Sequence, residues 1–124
     1  MTPTLTCTRH QWTAPDGEAL PYAFWDAGLM PGLLPDQRPR AVVVAIHGLS
    51  GAALDFEPLG SRLAAHRVIT FAPELRGQGN DPRPERRGDL AQIEEWFADL
   101  RAFFSLVRSR YPDAQIYYLS LIHI

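Results

Sequence analysis

The chain has 124 residues, of which 46% are apolar and 21% are charged, and its formal net charge is −2. This composition is typical of one globular domain with a core of modest size. The one basic cluster, residues 83–87, is interrupted by Pro84 and Glu85, so no nucleic-acid-binding surface is predicted.

Three features predict a cytoplasmic location without a transmembrane segment. Cys7 is the single cysteine, so it cannot form an internal disulfide, and no CxxC or histidine pattern around it suggests a metal site, which favours a reduced compartment. The first twelve residues do not resemble a secretion signal, and the longest internal apolar run, Ala41–Ile46, is too short to cross a bilayer. All twelve basic residues are arginine, a habit of GC-rich bacterial genomes, so a bacterial origin is expected.

The first predicted elements form a β-hairpin over residues 6–26. Apolar and polar residues alternate on both sides of Pro15, Asp16 and Gly17, and an Asp-Gly pair supplies the positive φ of a tight turn. Residues 27–40 contain several prolines and glycines and are predicted to be a loop.

Two buried strands and a short helix follow. The run Ala41–Ile46 is continuously apolar without alternation, which is typical of a strand covered on both faces in a parallel sheet. A helix is predicted within residues 55–66, with Pro58 in its first turn and an inner side formed by Leu59, Leu63 and Ala64. Residues 67–73 are predicted to form the next strand, ended by a long loop.

The last elements are a long helix and a strand. Asp89 is predicted to cap the helix, with Gln92 completing a capping box. Apolar residues at spacings of three and four predict one buried face, formed by Leu90, Ile93, Phe97, Leu100, Phe104 and Val107. The tryptophans and Phe103 are interpreted as core aromatics. Residues 114–119 are the final strand, so the order of elements predicts an α/β fold: a mostly parallel sheet with an antiparallel amino-terminal hairpin and helices on both faces.

The residues that carry chemistry follow the first buried strand. His47-Gly48-Leu49-Ser50-Gly51 is a glycine-rich turn at the carboxyl end of that strand, where open α/β sheets bind their ligands. A second glycine-containing turn, Arg76-Gly77-Gln78-Gly79, follows the next strand and is interpreted as architectural.

These motifs resemble the amino-terminal half of an α/β-hydrolase, over about residues 41–119. The similarity is greatest to the branch of monoacylglycerol lipases, lysophospholipases and serine aminopeptidases. By this resemblance the backbone N–H of Leu49 is half of the oxyanion hole, and His47 and Gly48 support the oxyanion loop. Arg76, Gly77 and Gly79 match the family's Asp-x-Arg-Gly-x-Gly-x-Ser turn, in which Glu74 replaces Asp and Asp81 replaces Ser.

The resemblance implies a serine hydrolase that cleaves a small-molecule ester or lipid through an acyl-enzyme, with no metal or organic cofactor. A serine aminopeptidase and a non-catalytic binding protein on the same fold are the alternatives. The oligomeric state is left open.

No nucleophile elbow, G-x-S-x-G, follows the last strand. Ser120 has bulky neighbours two residues away on either side, and His123 would point to the opposite face of an extended chain. Ser50 fits a relaxed elbow, but its base would have to be His66 or His123. A catalytic-base role for His47 is a further, weaker alternative.

The segment 119–124, Leu-Ser-Leu-Ile-His-Ile, has an unusual interpretation. It is the translation of CTG TCT CTT ATA CAC ATC, a string that matches the transposase end used in short-read sequencing libraries. We therefore expect residues 1–118 to be a partial hydrolase domain, and residues 119–124 to be a non-native tail. The fifth strand would then have an unpaired apolar edge, and the chain would lack the nucleophile, acid and base.

Overall fold

The computed structural model describes residues 7–26, 39–48, 51–78 and 93–121. The strands are β1 (Cys7–Thr13), β2 (Ala19–Trp25), β3 (Ala41–Ile46), β4 (Val68–Pro73) and β5 (Ile116–Ser120). A 3₁₀ turn (Ala53–Phe56) leads directly into helix α1 (Glu57–Ala64), and helix α2 (Ile93–Arg110) precedes β5. Every predicted strand and both predicted helices are therefore confirmed, while the predicted cap at Asp89 and Gln92 lies outside the described residues.

The hairpin forms as its turn chemistry predicts. Gly17 has φ of +89°, and its N–H donates to the carbonyl of Ala14 over 2.9 Å. The N–H of Ala14 in turn donates to the carbonyl of Glu18. This turn fixes the antiparallel register, in which Trp12 pairs with Leu20.

The five strands form one mixed sheet with the order β1-β2-β4-β3-β5. The strands β1 and β2 pair antiparallel, as do β2 and β4, whereas β3 pairs in parallel with both β4 and β5. The fifth strand thus lies beside the third. The parallel part of the sheet brings the carboxyl ends of β3, β4 and β5 to one edge.

Helices cover both faces of the sheet, again as predicted. The core between one face and α2 contains Trp12, Leu20, Tyr22, Val42, Val44, Ile69, Phe71, Trp96, Phe103 and Val107. The core between the other face and α1 with its 3₁₀ turn contains Ala23, Trp25, Ala45, Ala53, Phe56, Ala64 and Ala72. In α1, Ala64 is buried and Leu59 and Leu63 are half-buried, which agrees with the predicted inner side.

The predicted buried face of α2 is wrong at two of its positions. Ile93 and Phe97 are 38% and 46% exposed, whereas Trp96 and Phe103 are almost fully buried. Val107 is buried, and Leu100 and Phe104 pack partly on the core, as predicted. The remaining predicted position, Leu90, lies outside the described residues. The stripe that contains Asp99 faces inward, and both Asp99 and Trp96 bind the turn that follows β4.

Candidate functional site

The candidate site lies at the shared carboxyl edge of β3, β4 and β5. His47 and Gly48 leave β3, the turn 74–78 leaves β4, and Leu121 follows β5. Open α/β sheets bind ligands at this edge, because the loops diverge there and their backbone N–H and C=O groups are not used in strand pairing. The candidate residues predicted from sequence on two separate loops are therefore neighbours in space.

His47 joins the loops after β3 and β4. Its ring is fully buried, and its Nε2 accepts the backbone N–H of Leu75 over 3.0 Å. Because a backbone N–H can only donate, Nε2 carries no proton, and Nδ1 carries the proton that is donated to the carbonyl of Gly48 over 2.8 Å. Both ring nitrogens are thus occupied by the backbone, which argues against His47 as a general base.

The backbone at Gly48 and Gly51 approaches its neighbours closely. A Cβ on Gly48 would lie 3.3 Å from the carbonyl oxygen of Leu121, and one on Gly51 would lie 2.7 Å from Oδ2 of Asp55. The N–H of Gly51 donates to the carbonyl of Gly48 over 3.0 Å, which joins the two ends of the segment between them. Leu49 and Ser50, the predicted oxyanion donor and the rival nucleophile, lie outside the described residues.

Glu74 anchors the start of the turn after β4. Its backbone N–H donates to the carbonyl of Pro21 in β2, and its buried Oε1 accepts the N–H of Ala53 over 3.1 Å. Ala53 begins the 3₁₀ turn, so the carboxylate satisfies one of the donors that a helical start leaves unpaired. The glutamate that replaces the family's aspartate therefore has a structural contact of its own.

Arg76 is the most heavily bonded side chain of the described residues. It is 3% exposed and forms two hydrogen bonds to Asp99, from Nε over 3.0 Å and from a terminal nitrogen over 2.9 Å. It also binds Asp16 and Glu18 in the hairpin turn, and lies 3.2 Å from a carboxylate oxygen of Glu95. One guanidinium therefore joins the hairpin, the turn after β4 and α2.

The pKa values of the charged groups around Arg76 shift in different directions. Hydrogen bonds from Arg76 lower the pKa of the Asp16 carboxyl to about 2. Asp99 is buried, and this burial raises its pKa, because desolvation outweighs the stabilisation by Arg76. Hydrogen bonding to Asp16 raises the pKa of Arg76 itself, so the guanidinium is charged at any accessible pH.

Gly77 follows with φ of +82°, a left-handed conformation that a residue with a Cβ adopts at a cost. The N–H of Gln78 then donates to the carbonyl of Leu75 over 3.0 Å and closes the turn. The other glycine of this motif, Gly79, and the substituted position Asp81 lie outside the described residues.

The remaining candidate residues are not brought to one catalytic arrangement. Ser120 is an exposed residue of β5, and the next N–H, that of Leu121, donates to the carbonyl of Ile46 over 3.0 Å. Pairing with β3 thus continues past Ser120, which is not how a nucleophile elbow is built. His66 is exposed after α1, and His123 lies outside the described residues.

Sequence reasoning did not identify Asp99 as part of this edge. The signal was present, since Asp99 is a lone acidic residue three positions after Trp96 and four before Phe103, on an otherwise apolar stripe. A carboxylate on such a stripe requires a cationic partner. Within the described ranges, no group of three potential metal ligands occurs and no helix is long and apolar enough to span a membrane.

A family model described as serine aminopeptidase, S33, matches residues 37–121, which is more than half of the chain. The chain belongs to this family. As an S33 family member it has the amino-terminal part of an α/β-hydrolase fold, as its sequence predicted, and it is related to hydrolases.

Solved structures of hydrolases share this fold. A soluble variant of monoglyceride lipase from Saccharomyces cerevisiae, in complex with a substrate analogue, matches 97% of the S33 chain with a TM-score of 0.70 and 20% identity. A thermostable carboxyl esterase from Bacillus coagulans matches 93% with a TM-score of 0.66 and 15% identity. An acylaminoacyl peptidase matches 95% with a TM-score of 0.65 and 13% identity. The chain spans 36% of the length of the lipase and of the esterase, and 19% of the peptidase.

Proposed function

We propose that this chain is the amino-terminal part of a serine hydrolase that cleaves carboxylic esters, of the monoacylglycerol lipase or lysophospholipase type. The observation that carries the proposal is the His47–Gly48 segment at the carboxyl edge of the sheet, held by the N–H of Leu75. The S33 family match over residues 37–121 and the fold shared with a monoglyceride lipase and an esterase support it.

The chemical role proposed for this segment is electrostatic. Attack on an ester carbonyl concentrates negative charge on one oxygen, and a fixed backbone N–H stabilises that charge without reorganising. We assign this donor to Leu49, the residue after Gly48, and expect it to contribute about 3 kcal/mol to lowering the barrier. His47 and Gly48 would support the donor, while Arg76, Gly77 and Gly79 would shape the neighbouring turn.

The nucleophile, acid and base are proposed to be absent from these 124 residues, which we therefore expect to be inactive. Ser120 is the candidate nearest to the expected elbow position, and its place in a paired strand supports this view. The adapter origin of residues 119–124 remains a prediction about the gene, and codons other than the six given above would contradict it.

The test is to read the genomic sequence beyond Tyr118 and to express the continued chain. A Gly-x-Ser-x-Gly motif after Tyr118, covalent labelling of its serine by a fluorophosphonate, and turnover of a monoacylglycerol would support the proposal. The 124-residue chain and a variant with that serine changed to alanine are the controls, and neither should turn over a short-chain nitrophenyl ester above background. A continued chain without labelling and without ester turnover would refute the proposal.

A serine aminopeptidase is the second candidate, favoured by the description of the matching family and by the fold shared with an acylaminoacyl peptidase. The unlabelled continued chain distinguishes the two, because an aminopeptidase would release nitroaniline from an aminoacyl nitroanilide and leave the monoacylglycerol intact. Absence of the elbow motif from the continued chain would instead favour a binding protein on this fold.

A further inference from the structure

Arg76, in the turn after β4, binds α2 through both its side chain and its backbone carbonyl. The carboxylate of Asp99 takes two hydrogen bonds from Arg76, and the indole N–H of Trp96 donates to the carbonyl of Arg76 over 2.5 Å. Asp99 is 8% exposed and Trp96 is 1% exposed, so neither contact competes with bulk water. These three hydrogen bonds fix where Arg76 lies relative to α2.

The residue before Arg76 is the one that holds His47. The N–H of Leu75 donates to Nε2 of His47, and Nδ1 of the same ring donates to the carbonyl of Gly48. A displacement of Arg76 that is transmitted through Leu75 would lengthen the first bond and release the ring from its tautomer. Successive contacts therefore run from α2 through Arg76, Leu75 and His47 to Gly48.

We propose that Trp96 and Asp99 are positioning residues for the His47–Gly48 segment, and that they act on it through Arg76 and Leu75. The proposal rests on the proposed function in so far as this segment is an oxyanion loop. The coupling itself is a property of the described residues and is measured on them without any reaction.

The other carboxylates around Arg76 do not have this role. Asp16 and Glu95 are 50% and 49% exposed, and Glu18 is 22% exposed, so water replaces much of what each contributes. Asp99 is the carboxylate that binds Arg76 through two hydrogen bonds while itself buried. Glu95, on the same helix and in contact with the same guanidinium, is consequently the matched control.

The experiment uses the 124-residue chain and three variants, Trp96→Phe, Asp99→Asn and Glu95→Gln. Hydrogen exchange is measured at the Leu75 amide and, for global opening, at the Val44 amide within β3. Long-range proton–nitrogen correlation spectra report the tautomer of His47. In Trp96→Phe and Asp99→Asn we expect Leu75 to exchange about tenfold faster relative to Val44, since each loses one strong hydrogen bond. The His47 signals should move away from the pure Nδ1–H tautomer, and Glu95→Gln should change neither reading.

Two results would overturn the proposal. If the substitutions merely lower global stability, Leu75 and Val44 accelerate equally and His47 keeps its tautomer. The unmutated chain gives a second reading that needs no variant: the Leu75 amide, the Arg76 Nε–H and the Trp96 indole N–H should share one opening free energy. Protection that differs among them by more than about tenfold shows that they open independently, which contradicts the coupling. The hydrolase proposal is tested separately by labelling and turnover of the continued chain, so either can fail alone.

Discussion

Replacing Gly60 by alanine should destabilise the chain although alanine is the better helix former. Gly60 lies in α1 against the indole of Trp25, and a Cβ built on it would be 2.4 Å from Cδ2 and 2.6 Å from Cε2 of that ring. Ordinary carbon contacts are about 3.5–4.0 Å, so the new methyl group would overlap the ring by more than about 1 Å.

Trp25 cannot easily move away. Its side chain is 1% exposed, and its indole N–H donates to Glu57 over 2.7 Å. The other carboxylate oxygen of Glu57 accepts the hydroxyl of Ser61 over 2.6 Å. Overpacking costs about 1–3 kcal/mol, and a ring that is buried and hydrogen-bonded to Glu57 favours the upper end of that range. Subtracting about 1 kcal/mol for the gain in helix propensity leaves a net destabilisation of about 2 kcal/mol.

Urea unfolding followed by far-UV circular dichroism measures this loss. With a slope of about 2 kcal/mol per molar urea, the midpoint of Gly60→Ala should fall by about 1 M. Arg62→Ala, at an exposed position of the same helix, is the control and should change stability by less than about 0.5 kcal/mol. In a Trp25→Leu background the penalty of Gly60→Ala should disappear. An increase in stability of Gly60→Ala in the unmutated background would refute the close packing of α1 on Trp25.

Three further changes test other contacts. Because Arg76 lowers the pKa of Asp16 to about 2, this half-exposed carboxylate should stabilise the chain by less than about 1 kcal/mol. The stabilisation should be complete above about pH 4 and should fall progressively as the pH drops from about 4 through 2. The difference in unfolding free energy between the unmutated chain and Asp16→Asn measures this stabilisation, and a difference that is as large at pH 2 as at pH 5 contradicts the prediction. His47→Leu should cost about 1–3 kcal/mol in urea unfolding by leaving the Leu75 N–H unpaired, and an unchanged midpoint would contradict this. Tyr117 is 56% exposed on β5, and Tyr117→Lys should reduce concentration-dependent association between chains in sedimentation velocity. Gln11→Lys on β1 is the control and should not reduce it. Equal effects of the two substitutions would exclude β5 as the strand through which chains associate.

Local sequence signals were sufficient for the fold. The Asp16-Gly17 pair specified the hairpin turn, and the apolar run Ala41–Ile46 specified a strand with both faces covered. Each of these signals acts within a few residues, and the tertiary structure agrees with each of them. The S33 family match and the shared α/β-hydrolase fold support the same assignment.

The inward face of α2 could not be derived in the same way. Apolar spacing alone favours the stripe through Phe97, because the stripe through Phe103 contains Asp99. The stripe that faces inward binds Arg76 through Asp99, and Arg76 lies 23 residues before Asp99 in the chain. A periodicity argument has no access to a partner at that separation, although a single carboxylate on an apolar stripe indicates that such a partner exists.

The contacts around the candidate site are long-range for the same reason. His47 binds Leu75, Glu74 binds Ala53, and Arg76 binds residues of the hairpin and of α2. All of these partners belong to residues 7–121, so the segment proposed as an oxyanion loop is held by contacts that this chain already contains. If the proposed function is correct, a continued chain would have to add the nucleophile, acid and base to a loop that is already positioned. Because these contacts lie within the 124-residue chain, we predict that the tautomer of His47 is the same in this chain and in the continued hydrolase.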